Sequence, residues 1–168
     1  MRKIIIGVMG PGTGASETDR KHAYTIGTLI AQAGWVLLTG GRNVGVMDAA
    51  NRGAKSANGL TVGILPNAGD SGVSDAVDIA IFTDMGSARN NINVLSSDGV
   101  IACGMGAGTA SEVALALKAN KPVVLLTEDR ESQQFFQHLS NHNIFIATSP
   151  EAAIAFVKQA LTHGCETE

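Results

Sequence analysis

Residues 104–112 read Gly-Met-Gly-Ala-Gly-Thr-Ala-Ser-Glu, between the apolar stretch Gly99–Cys103 and the helical run Val113–Ala119. A strand, a glycine-rich turn and a helix start point bare N–H groups and a positive helix end at an anion. Met105, Gly106, Ala107 and Gly108 supply that backbone, and Thr109 and Ser111 add hydroxyl donors. Glu112 is the odd member, because phosphate repels a carboxylate. It suits a sugar hydroxyl, a water or a ring nitrogen instead. Alone, such a turn is also what plain packing of a strand against a helix produces. Two further glycine turns follow apolar stretches, Gly10-Pro11-Gly12-Thr13-Gly14 and Gly40-Gly41. Three of them at strand ends favour a phosphorylated small ligand over packing alone.

The elements that must carry these turns alternate along the chain. Strands are expected at Lys3–Met9, Trp35–Thr39, Leu60–Leu65, Val77–Phe82, Gly99–Cys103, Pro122–Leu126 and Ile144–Ala147. Helices are expected from a cap at Ser16 or Thr18 to Gln32, and over Gly45–Ser56, Gly86–Leu95, Val113–Ala119 and Glu131–Ser140. A last helix follows Ser149-Pro150-Glu151, with Gly164 as its stop. Repeated strand–helix–strand units with right-handed crossovers imply an α/β, Rossmann-like, doubly wound fold. Its sheet is mainly parallel, of about seven strands, with helices on both faces. Ligands of such sheets bind beyond the strands' carboxyl ends, where the strand order reverses. The polar stretch Asn67–Asp75 is a loop with room to lie over a site.

At 168 residues with no linker, the chain reads as one domain over 1–168. Hydrophobic residues make up 45% and charged residues 16%, which excludes a disordered chain and suits a sheet buried on both faces. A net charge of −3 and 4% aromatics leave neither the electrostatic footprint nor the stacking platforms of a nucleic-acid binder. Cys103 reads as a buried filler and Cys165 as a surface thiol, so no disulfide framework is expected. His22, His138, His142 and His163 are scattered on the surface without metal-ligand spacing, so no metal is expected. The apolar run after Met1 is too short for a signal peptide or a membrane span, which implies the cytoplasm and no membrane partner.

Two other phosphate binders are disfavoured. A dinucleotide fold would need Gly-x-Gly-x-x-Gly after the first strand and an acid at the end of the second, where Thr39-Gly40-Gly41 stands. A Walker loop would need Gly-Lys-Ser/Thr, which is absent.

Gly40-Gly41-Arg42-Asn43-Val44-Gly45-Val46-Met47, followed by Ala50-Asn51-Arg52-Gly53-Ala54, resembles the Gly-Gly-…-Gly-Leu-Met segment of the "lonely guy" (LOG) family. Gly106-Ala107-Gly108-Thr109-Ala110-Ser111-Glu112 is similar to the second half of that family's Pro-Gly-Gly-x-Gly-Thr-x-x-Glu signature. Arg89 precedes Glu112 by 23 residues, the interval that separates the family's catalytic Arg from its Glu, and Ser97-Asp98 also falls in register. The resemblance spans Ile4 to Leu126 and implies a Rossmann-like protein acting on nucleoside monophosphates. Two departures stand out: Gly104-Met105 replaces Pro-Gly, and Asn90-Asn91 follows Arg89 where Lys is usual. The pattern is closer to a side branch with bacterial LOG-like proteins and the molybdenum cofactor carrier proteins, which bind a phosphorylated pterin without converting it. Relatives being dimers or tetramers, a homo-oligomer is implied. The two-sided apolar character of Gly86–Leu95 and Val113–Ala119 places its interface there.

Two functions therefore stand side by side: a carrier or sensor of a phosphorylated nucleotide or pterin, and a phosphoribohydrolase that releases the free base. In both, Gly10, Gly12, Thr13, Gly40, Gly41, Gly45, Met105, Gly106, Ala107, Gly108 and Thr109 are the candidate binding residues. In the hydrolase, Glu112 would stabilise positive charge on the ribose or orient water. Arg89 would clamp the phosphate or hydrogen-bond the leaving base; its high pKa makes it a poor acid. The plainer alternatives are an Arg89 ion pair with Glu112 or Asp84 that locks a helix, and a Glu112 that stabilises its own helix start. Asp48 and Arg52 fit a solvated i,i+4 pair. The residues name neither the ring of the ligand nor a resident cofactor.

Overall fold

The computed structural model describes residues 2–140 and 143–163, with the side chain of His163 left aside; His142, Gly164 and Cys165 lie outside the described residues. Seven strands run parallel: β1 (Ile5–Met9), β2 (Val36–Thr39), β3 (Thr61–Leu65), β4 (Ile79–Phe82), β5 (Gly99–Cys103), β6 (Val123–Leu126) and β7 (Ile144–Ile146). Among the described residues six α-helices accompany them: α1 (Glu17–Gln32), α2 (Gly45–Ser56), α3 (Arg89–Ser96), α4 (Ala107–Lys118), α5 (Arg130–Leu139) and α6 (Pro150–His163). The strand order is β4-β3-β2-β1-β5-β6-β7. The chain starts in the middle, winds out to β4, returns to the other side of β1 and winds out to β7. Order thus reverses between β1 and β5, and the crevice of a doubly wound sheet opens there.

Period-3.6 apolar spacing turns one stripe of each helix onto the sheet. Ala23, Ile26 and Ile30 of α1, Val46, Ala50 and Ala54 of α2, and Ala153 and Val157 of α6 cover one face, against Ile6, Val8, Leu37 and Ile101. Val94 of α3, Val113 and Ala116 of α4 and Phe136 of α5 cover the other, against Leu38, Val100, Val123 and Leu125. Cys103 is fully buried in the first of these layers. Ser16, rather than Thr18, caps α1: its hydroxyl accepts from Asp19 N at 3.0 Å while the Asp19 carboxylate accepts from Ser16 N at 2.9 Å.

Several sequence expectations need correction. Helix α4 begins at Ala107, not Val113, because Gly106 in an extended conformation already serves as its N-cap. The Gly-Thr-Ala-Ser-Glu string is therefore the helix's first turns rather than a loop. The helix expected over Gly86–Leu95 is a 3₁₀ turn, Gly86–Ala88, that runs into α3. Burial on both faces fails at β4, where Ile79 (46%), Ile81 (45%) and Phe82 (43%) remain exposed. Residues 66–78 connect β3 to β4 without a helix, so no helix is supplied to cover them. On α3 and α4 most apolar residues are at least half-buried within the chain; Leu95 is the large one left 57% exposed.

Candidate functional site

The turns leaving β1, β2 and β5 surround a cavity of about 480 Å³ at the carboxyl edge of the sheet. Gly10, Gly12, Gly40, Gly106, Ala107, Gly108, Thr109, Arg89 and Glu112 line it, as the strand-end argument expects. Thr13, Gly41, Gly45 and Met105 do not. Thr13 is exposed, Gly41 is buried against the Leu65 side chain, and Met105 faces a separate hollow. Gly45 opens α2 with φ +57°, and a Cβ there would fall 2.1 Å from Gly12 O. It shapes the wall from behind, and only glycine permits that approach of helix and turn.

Helix α4 contributes its N-terminus. Its first helical bond is Ala110 N to Gly106 O at 2.8 Å, so the amides before Ala110 have no carbonyl one turn earlier. Gly108 has nothing within 4 Å of where a Cβ would stand, which leaves the helix start open to the cavity. Thr109 is buried, and Ser111 Oγ donates to Gly108 O at 2.7 Å rather than facing a ligand.

Arg89 and Glu112 meet at the floor. Nη1 of Arg89 lies 3.7 Å from Glu112 Oε1, with both side chains about nine-tenths buried. Asp84 takes no part in this pairing. The same Nη1 donates to Asn90 Oδ1 at 2.8 Å, and Asn90 Nδ2 donates to Ser111 Oγ at 2.9 Å, which ties Arg89 to the first turn of α4. Asn93 Nδ2 donates to Glu112 Oε1 at 2.8 Å from a fully buried position. Burial pushes the Glu112 carboxyl above its usual range, against the opposing pull of Asn93 and Arg89. Burial likewise lowers Arg89, with Glu112 opposing and Arg42 adding to the shift. Among the described residues, Arg89 Nε and Asn93 Oδ1 are buried without a hydrogen-bond partner.

Arg42, Met47, Pro66, Ser87 and Asn90 also line the cavity, and sequence reasoning did not select them. A strand-end argument finds glycine turns but cannot say which neighbouring side chain turns inward. Of the stretch between β3 and β4, Pro66 lines the cavity, whereas Asn67–Asp75, expected to lie over the site, do not line it and instead bond the turn after β2. Asn43 N donates to Gly72 O at 2.8 Å and Ser74 N to Gly41 O at 2.9 Å, pinning that loop over the end of β2. Asp48 bonds Arg52 at 2.7 Å as expected, but also accepts from Ser74 Oγ at 2.6 Å, so it anchors that loop too. A second hollow of about 930 Å³ lies beyond β5–β7, lined by Asp19, His22, Met105, Asp129 and Arg130. It is the larger of the two, yet it holds neither the open helix start of α4 nor the Arg89–Glu112 pair. Among the described residues, no group of three His, Cys, Asp or Glu is placed to hold a metal ion. Among the described residues, no helix is long and apolar enough to cross a membrane.

A doubly wound parallel sheet with an open helix start and a buried Arg–Glu pair at its switch point defines a Rossmann-like protein of the LOG type. Comparison with known proteins narrows this: the chain belongs to the SLOG cluster4 family, whose model matches residues 3–154. It is 64% identical to the molybdenum cofactor binding protein of the phototrophic bacterium Rippkaea orientalis, with a TM-score of 0.94, covering 96% of this chain and 99% of that one. The Moco carrier protein of Chlamydomonas reinhardtii is 54% identical over the same shares, with a TM-score of 0.90. An uncharacterized protein of Archaeoglobus fulgidus is 52% identical over 126 residues, 75% of this chain and 82% of its own length.

Proposed function

We propose that the protein binds a phosphorylated pterin of the molybdenum cofactor class in the β1–β2–β5 cavity and carries it unchanged. The observation that carries this reading is the 64% identity, over 96% of the chain, to a molybdenum cofactor binding protein. The cavity suits it chemically. The open amides of α4 and the Thr109 turn fit a phosphate, and the glycine walls at Gly10, Gly12 and Gly40 leave room for a planar ring. In a carrier, Glu112 serves chiefly to hold Arg89 in place.

The test is the small molecule released when the native protein is denatured, identified by mass spectrometry and pterin fluorescence. A phosphorylated pterin in near-stoichiometric amount supports the reading; its absence, with a nucleotide in its place, refutes it.

The 3.7 Å apposition of Arg89 and Glu112 favours a second reading, hydrolysis of a nucleoside 5′-monophosphate to the free base. A carboxylate at the sugar would stabilise the positive charge that develops on the ribose. Steady base release by the native protein, lost in Glu112→Ala with the ligand still bound, would establish this chemistry. No release from either protein leaves the carrier.

A further inference from the structure

The charged side chains that line the cavity are Arg42, Arg89 and Glu112, and they do not balance. Arg89 is offset by Glu112 at 3.7 Å, and its Nη1 is further engaged by Asn90 Oδ1. Arg42 makes no ion pair among the described residues. Its backbone is fixed all the same: it bridges Val73 in antiparallel fashion, flanked by the bonds Asn43 N to Gly72 O and Ser74 N to Gly41 O. The start of α4 is also left uncompensated. Helices α1 and α5 each have a capping side chain and an acid in the first turn, whereas α4 has neither.

Both positive regions face one space. Arg42 follows β2 and α4 follows β5, with only β1 between those strands. The backbone turns thus stand on the order of 10 Å apart, a gap that an extended arginine side chain largely spans. The charge of Arg42 does reach the floor, where it adds to the lowering of the Arg89 pKa. A helix start acts as roughly +0.5 charge, so with Arg42 the unmatched positive charge is about +1.5. A phosphate monoester carries about −1.5 to −2 at pH 7, with its second pKa near 6. A phosphodiester has a single ionised oxygen and leaves part of the positive charge unmatched.

We infer that Arg42 and the open start of α4 grip one and the same phosphate, and that together they select a terminal phosphate monoester, as its dianion, over a phosphodiester. The inference rests on the reading that the ligand's phosphate sits at the start of α4. Esterifying that phosphate a second time removes one terminal oxygen and one charge at once, and so weakens both grips. The protein then takes the product of a reaction that leaves a phosphate monoester on the pterin, and passes over forms whose phosphate has been extended.

Three probes with one ring separate these effects: 6-hydroxymethylpterin, its phosphate monoester, and the methyl ester of that phosphate. Titration calorimetry at low salt and pH 7 should show the monoester bound about tenfold more tightly than the diester, as expected for one added charge-assisted contact. At pH 5 the monoester is mostly a monoanion, and the ratio should fall towards one. The diester keeps its charge over this range, so taking the ratio removes any titration of Glu112. Arg42 is exposed, so Arg42→Gln should lower the ratio at pH 7 severalfold without altering thermal stability, and Arg42→Lys should retain part of it. Equal binding of monoester and diester, a ratio that does not change with pH, or one that survives Arg42→Gln overturns this inference; the phosphate site still stands if the monoester outbinds 6-hydroxymethylpterin. A monoester bound no more tightly than 6-hydroxymethylpterin, or no binding of any of the three, overturns the phosphate reading and this inference with it.

Discussion

Gly40→Ala isolates the contribution of Arg89 to binding. A Cβ on Gly40 would stand 2.6 Å from Arg89 Nη2, 3.0 Å from Arg89 Cζ and 2.7 Å from Met47 Sδ. Carbon contacts settle near 3.5 Å, so the guanidinium must retreat by roughly 0.9 Å. The backbone at Gly40 lies outside the left-handed region, so alanine costs nothing in φ. The obstructing atoms are the ends of flexible side chains. Loss of unfolded-state entropy stabilises the variant by about 0.4–1 kcal/mol, which offsets part of the repacking. Tm should therefore move by only a few degrees. A displaced Arg89 forfeits a hydrogen bond to a charged ligand group, about 1.5–3 kcal/mol, or roughly tenfold to a hundredfold in Kd. Titration calorimetry with the phosphorylated pterin that the native protein releases, alongside a thermal melt, reads both quantities. Gly41→Ala is the contrast: at φ +75° any side chain is strained by about 1–3 kcal/mol, so that variant should lose stability first. A well-folded Gly40→Ala protein with native affinity would refute the placement of Arg89 at the ligand.

Asn93→Ala removes the donor that favours ionised Glu112, leaving a buried carboxylate at a cost of about 1–3 kcal/mol. Because the Glu112 pKa is raised in the fold, its full stability is present below the usual carboxylate range and is lost as pH rises through the folded value. The variant's deficit in urea unfolding should accordingly be small at pH 4 and larger at pH 8; equal deficits would contradict the assignment. Burial pushes the Cys103 thiol up to about 12, so its peptide should stay unmodified by iodoacetamide at pH 8 and react only after unfolding, as peptide mass spectrometry will show. Ile79, Ile81, Phe82 and Leu95 leave apolar surface exposed, and we expect a homo-oligomer to cover it. Light scattering that gives a monomer at micromolar concentration, or an Ile81→Lys protein of unchanged mass, would count against that interface.

The sequence by itself determined the seven strands, because each strand of a sheet covered by helices is a short apolar run set off by glycine or proline, and that signal is local. The all-parallel order follows from strand–helix alternation and crossover handedness. Placing Gly10, Gly12, Gly40 and Gly106–Thr109 at one edge then needs no further information. The start of α4 was hidden because Gly108 weakens the helical pattern, and the open cavity above it, a tertiary property, is what leaves glycine there. The composition of the whole chain suits a sheet buried on both faces, yet exposure of β4 depends on whether a helix follows β3, and residues 66–78 form none. Tertiary structure alone decided which charges meet. Arg89 and Glu112 are brought to 3.7 Å by the packing of α3 against α4, and Arg42 joins them because the loop over β2 pins its backbone. Interactions between side chains far apart in the chain have no periodicity to read, so the electrostatics of the site appear only once the sheet has brought its edges together.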